Sequence, residues 1–134
     1  NFNVKTNYAY TEYVASNASS FYTPEKVGSV AHQNLHGLEQ ADYLIVTHSD
    51  FLAQANRLAD LHREQGTTTH VVTIDQVYNE FSSGAPDAVA IRMLAKMFHD
   101  RALTNPTLEL KYLLLFGDGT YDPKDRLANN NNKK

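Results

Sequence analysis

Three aspartates crowd the stretch Gly117-Asp118-Gly119-Thr120-Tyr121-Asp122-Pro123-Lys124-Asp125. Carboxylates on a glycine-bearing loop can hold a hard cation such as calcium through oxygen ligands, although their spacing departs from that of an EF-hand loop. Asp118 could also orient a catalytic group. A plainer reading lets Gly117 permit a strained turn, with Asp118 bonding nearby backbone amides and Asp122-Pro123 making a further turn. A second set, His48-Ser49-Asp50, holds the residue types of a Ser-His-Asp triad. Neighbours in sequence do not meet in triad geometry, which is defined by spatial roles, and helix capping by Ser49 or Asp50 accounts for them more simply. His32 and His36 are four apart and would share one face of a helix, but Gln33-Asn34 and Gly37 disfavour a helix there, so this pair is weak support for zinc.

These residues need elements to carry them. Leu110 to Phe116 is a continuous apolar run without polar alternation, the pattern of a strand buried on both faces of a parallel sheet. Asp118 then stands at the carboxyl edge of the sheet, where open α/β folds do their chemistry. Upstream, Tyr43 to Thr47 reads as a first strand. Phe51, Ala55, Leu58, Ala59 and His62 follow at the spacing of one buried helical face, and Gly66 supplies the stop. Thr68 to Ile74 is rich in β-branched residues and forms a second strand. Asp75 to Phe81 is a short helical turn packing Val77, Tyr78 and Phe81, and Ser82-Ser83-Gly84 is a loop. Pro86 suits the first turn of a further helix, whose stripe is Ala88, Ile91, Leu94, Ala95 and Phe98. The order βαβαβ with short loops predicts right-handed crossovers in a three-layer parallel α/β sheet.

Residues 1–40 differ in character. Tyr8 and Tyr10 alternate as in a strand, with Tyr13 and Val14 beyond them, and Ser16 to Ser20 resembles a linker. This segment is expected to be the end of an upstream β-rich domain, and residues 41–134 a truncated α/β subdomain. The start at Asn1 and the polar tail Asn129 to Lys134 fit a piece of a larger protein. Three strands would leave sheet edges exposed, and the third strand calls for neighbours.

Composition narrows the function classes. The 134 residues carry a net charge of −3, and no basic stripe is interleaved with aromatics, which argues against nucleic acid. No stretch has the length and apolarity of a transmembrane segment. Cysteine is absent, so neither a thiolate nucleophile nor a thiolate metal site lies within these residues. After the first strand comes Thr47-His48-Ser49-Asp50, without the glycines of a dinucleotide-binding loop.

Three segments together resemble a known family: Ala41-Asp42-Tyr43-Leu44-Ile45-Val46-Thr47-His48-Ser49-Asp50-Phe51-Leu52, Ile74-Asp75-Gln76-Val77-Tyr78-Asn79-Glu80-Phe81-Ser82-Ser83-Gly84, and Leu113-Leu114-Leu115-Phe116-Gly117-Asp118-Gly119-Thr120-Tyr121-Asp122-Pro123. They are similar to the start of the peptidase domain of gingipain-type cysteine peptidases, and within that family to the sortase branch serving the type IX secretion system. The resemblance spans about residues 30 to 130. It implies the amino-terminal half of a caspase-like domain, with the catalytic histidine in a Gly-His-Gly context and the cysteine after later strands. Neither is present here, so no catalytic residue is carried over. His48, Asp118 and Asp122 remain candidates for a loop at the edge of the site.

The resemblance further implies a parent at the cell surface or outer membrane of a Gram-negative bacterium. Its partners would be secreted cargo proteins with a carboxyl-terminal signal and other components of the type IX system. The signal is removed and the cargo passed to anionic lipopolysaccharide. No cofactor is required, though calcium is compatible with the family. The alternatives are a non-catalytic α/β interaction module and a phosphate- or nucleotide-binding α/β domain.

Overall fold

The computed structural model describes residues 17, 19, 21–26, 28–119, 122 and 126. The tyrosine-bearing stretch expected at Tyr8, Tyr10, Tyr13 and Val14 lies outside them. The chain separates into two units, Asn1–Ala31 and His32–Lys134. Within the first, Ser19 Oγ donates to Asn17 Oδ1 at 2.8 Å, and residues 21–26 form no regular element.

The second unit is a three-stranded parallel sheet in the order β2-β1-β3, built from β1 (Tyr43–Thr47), β2 (Thr69–Thr73) and β3 (Tyr112–Phe116). Helix α1 (Leu52–Glu64) packs on one face, while α2 (Ile74–Phe81) and α3 (Ala88–Ala102) pack on the other. The alternation of β1 explains the layering, because successive strand side chains point to opposite faces. Leu44 and Val46 join Val77, Ala90, Leu94 and Phe98 in one core. Ile45 enters the other, with Ala55 and Ala59 of α1. The small alanines let the α1 backbone lie close to the sheet. The three-layer α/β architecture is the one expected.

Several boundaries differ from expectation, each for a local reason. Ser49 and Asp50 do not cap α1. A 3-10 turn, Ser49–Phe51, intervenes, and its cap is His48, whose Nδ1 accepts the Asp50 amide at 3.2 Å. Ile74 leaves the second strand because Thr73 and Gln76 form a capping box that starts α2 there. Pro86 precedes α3 instead of opening it, since Asp87 caps the helix by accepting the Val89 amide at 2.9 Å. The buried stripe of α3 is accordingly Ala90, Leu94, Phe98 and Ala102, and Ala88 is exposed. Gly66 does end α1, at φ +84°, a conformation that glycine adopts without strain.

β3 shows the exposed edge that three strands alone were expected to leave. Among the described residues it is an edge strand, and Tyr112, Leu113 and Leu115 are exposed, Leu115 to 58%. Leu114 and Phe116 reach the α1 side of the core. The two-sided burial read from the apolar run belongs in this chain to β1, which has a strand on each side.

Two carboxylates brace the unit away from the carboxyl edge. At the opposite edge Asp42 accepts from Lys111 Nζ at 2.6 Å, Thr68 Oγ1 at 2.6 Å and the Thr68 amide at 3.1 Å. Its own carbonyl takes the amides of Lys111 and Tyr112. The Lys111 ammonium and the Thr68 donors hold its carboxyl at about 2. Asp42 therefore joins the starts of all three strands. Glu80 of α2 receives the Leu35 amide at 2.7 Å, the His36 amide at 3.1 Å, Gln33 Nε2 at 2.9 Å and His36 Nδ1 at 2.7 Å. Burial alone would raise its pKa, but the Leu35 amide, the Gln33 amide group, the His36 ring and the His36 amide outweigh burial and bring it to about 2. Arg101 of α3 donates to the carbonyls of Leu38 and His36, and Gln40 Nε2 donates to those of Phe98 and Leu108. Residues 33–40 are thereby strapped across α2 and α3, with Leu35 buried beneath. Among the described residues no helix is long and apolar enough to cross a membrane.

Glu80→Gln should destabilise the 134-residue chain by about 2 kcal/mol, because charged acceptors of several donors contribute most among hydrogen bonds. Both carboxylates titrate lower folded than unfolded. Their stabilisation is complete above the ordinary carboxylate range and is lost as pH falls toward 2. The difference between wild type and Glu80→Gln should therefore shrink over that fall, as read by urea unfolding with circular dichroism. Asp42→Ala should cost more than Lys111→Ala in the same assay, since it also strips the Thr68 hydroxyl and amide of their acceptor.

Candidate functional site

The carboxyl edge of the sheet is formed where β1 and β3 end side by side. The parallel register pairs Thr47 with Phe116. Thr47 is buried, and its Oγ1 donates to the Phe116 carbonyl at 3.0 Å, with the His48 carbonyl 3.3 Å away. From this rung β1 passes through His48 into the Ser49–Phe51 turn, and β3 passes into Gly117-Asp118-Gly119.

Between these two exits lies an open depression of about 470 Å³ lined by Phe51, Gln54, Phe116, Gly117 and Asp118. Its surface is almost wholly apolar. Gly117 has φ +152°, which side-chain-bearing residues rarely adopt. A Cβ there would meet the Phe51 ring at 3.8 Å. The glycine thus serves backbone conformation, since a Cβ there would make only ordinary contact with the Phe51 ring.

Of the residues singled out from sequence, His48 and Asp118 both stand at this edge and both are exposed. His48 flanks the depression through its contact with Phe51, ring centroids 6.4 Å apart. Its Nδ1 accepts the Asp50 amide and is 3.5 Å from Asp50 Oδ2. In a catalytic triad that nitrogen donates to the carboxylate, so the His48-Ser49-Asp50 set has a capping geometry instead. Asp118 Oδ1 accepts the amide of Gly119 at 2.8 Å, the local backbone bond expected of a turn aspartate. Asp122 is buried, and Asp125 lies outside the described residues. His36 is engaged by Glu80 and stacked on Phe81, centroids 4.5 Å apart, while His32 is exposed. Among the described residues no group of three or more histidine, aspartate or glutamate side chains is placed to hold a metal ion.

Sequence reasoning missed Thr47, Phe51 and Gln54 as parts of this edge. Thr47 places a hydroxyl at the end of β1, but its partner carbonyl belongs to Phe116, distant in sequence. Phe51 was assigned to the buried face of α1, but the intervening 3-10 turn rotates it toward the depression. The arrangement supplies an open, mostly apolar surface with Asp118 among its lining residues. It is suited to receiving a chain or side chain, and the chemistry of bond cleavage would need groups from elsewhere.

The comparisons with known proteins agree with this division. The sequence model of peptidase family C25 matches residues 36–132. Among solved structures the chain is similar to the crystal structure of dimeric latent PorU from Porphyromonas gingivalis, with 46% identity and a TM-score of 0.73. That match covers 78% of this chain and 10% of the PorU chain, so the present residues correspond to a small part of the relative's length. No curated protein matches. The segments bearing the three-motif resemblance, the parallel α/β sheet and the family match coincide over the same residues, and the chain belongs to peptidase family C25, the gingipain-type cysteine peptidases.

Proposed function

We propose that this chain is the amino-terminal scaffold of the catalytic domain of a cell-surface cysteine peptidase that works as a sortase in type IX secretion. The observation that carries this reading is the 46% identity to PorU across 78% of the chain. The parent removes the carboxyl-terminal signal of secreted cargo and transfers the cargo to an amine of anionic lipopolysaccharide at the outer membrane, alongside other components of the secretion system. Its nucleophilic cysteine and its histidine lie beyond Lys134. The thiolate attacks the peptide carbonyl, the histidine moves the proton, and backbone amides hold the oxyanion.

The present residues contribute position. β1 and β3 present the His48 turn and the Asp118 loop along one edge of the sheet, and the depression between them lies beside the path of the substrate. Calcium, where the parent binds it, would serve stability or loop order. A non-catalytic interaction module is the second reading.

The test is to express the protein through its natural carboxyl terminus and treat it with a cysteine-directed peptidyl probe, locating the modification by mass spectrometry. One cysteine downstream of Lys134 should be labelled, and replacing a downstream histidine should abolish the labelling. A folded full-length protein that takes up no probe would favour the interaction module.

A further inference from the structure

We propose that Thr47 is a positioning residue for the substrate-binding edge of the parent enzyme, a role that rests on the peptidase reading above. Its place in the fold is specific. It is the last residue of β1, paired in register with the last residue of β3, and 2% exposed. Both chains leave the sheet immediately beyond this rung. The Oγ1 atom has one hydrogen and two carbonyls within reach, Phe116 at 3.0 Å and His48 at 3.3 Å. The shorter contact is the principal bond, and it crosses from one exit to the other.

A valine at this position would fill the same volume, favour the strand equally and bury no polar atom. What the hydroxyl adds is therefore the bond itself. That bond is a second fastening on the Phe116 carbonyl, beside the parallel pairing that sets its register, and Gly117 follows directly at φ +152° without a side chain to restrain it. The wall formed by Gly117 and Asp118 thus takes its place from Phe116, while the facing wall, Phe51 and Gln54, takes its place from the turn after His48. The strand register sets the spacing of the two walls, and the Thr47 bond holds the Phe116 wall at that spacing. It touches no reacting group; its effect is on how tightly a substrate seats.

Full-length protein carrying Thr47→Val or Thr47→Ser is compared with wild type for the concentration dependence of labelling by a cysteine-directed peptidyl probe, with thermal unfolding measured in parallel. Thr47→Val should raise the half-saturating probe concentration roughly fivefold, in line with loss of one buried hydrogen bond, and leave the maximal labelling rate unchanged. Thr47→Ser keeps the donor and should bind probe like wild type even where its melting temperature falls through loss of the methyl group. Wild-type constants in Thr47→Val would overturn the proposal, as would a raised half-saturating concentration in Thr47→Ser, which can be read whether or not the valine variant folds. Absence of labelling in the wild-type protein would instead remove the peptidase reading, and this role with it.

Discussion

Five residues of β1 pair in parallel with β2 on one side and β3 on the other, and their side chains alternate between two separate cores. Leu44 and Ile45 are wholly inaccessible to solvent. A slip of one residue would exchange the faces and send every one of these side chains into the wrong core. Because the register is fixed from both faces at once, the ends of β1 and β3 are fixed relative to each other, and so are the loops that leave them. The positions of His48 and Asp118 are consequences of that pairing.

The two edges of the sheet are treated differently. At the start of the strands Asp42 gathers Lys111 and Thr68 into a charged, fully bonded cluster, which pins strand ends where no chemistry is expected. At the carboxyl edge the buried Thr47 hydroxyl bridges β1 to β3 and a capping box of Thr73 and Gln76 closes the end of β2, and around them lie exposed groups, an aromatic floor and a glycine in an unusual conformation. Firm anchoring at one end leaves the other free to present loops, the usual arrangement of a parallel α/β sheet. The Glu80 and Arg101 clamps hold residues 33–40 on α2 and α3.

Much of this was legible in the residues. The β-branched and apolar runs located β1 and β2, and the spacing of Ala55 and Ala59 marked the face of α1. The Asp118 loop was placed at the correct edge. What was not legible depended on groups distant in sequence. The apolar run before Gly117 reads as a two-sided core strand, yet whether such a strand is central or at an edge depends on which strands flank it, and that is a property of topology. Nothing in the sequence sets Glu80 apart, because its partners at positions 33, 35 and 36 are over forty residues away. The cap of the Ser49–Phe51 turn went to His48 over Ser49 and Asp50 because the backbone turns one residue earlier than the serine and aspartate suggest. Thr47 was passed over since a hydroxyl at the end of a strand gains meaning only when the opposing carbonyl is known.

The central claim is that the carboxyl edge of this sheet borders the peptide-binding site of a C25 peptidase. The most direct test is a peptidyl probe bearing a photocrosslinking side chain, bound to the full-length protein and activated, with the crosslinked residues mapped by mass spectrometry. The account predicts attachment within this chain at Phe51, Gln54 or Gly117 to Gly119. Attachment at the Asp42–Lys111 edge, or nowhere in residues 41–119 while crosslinks form elsewhere in the protein, would contradict it.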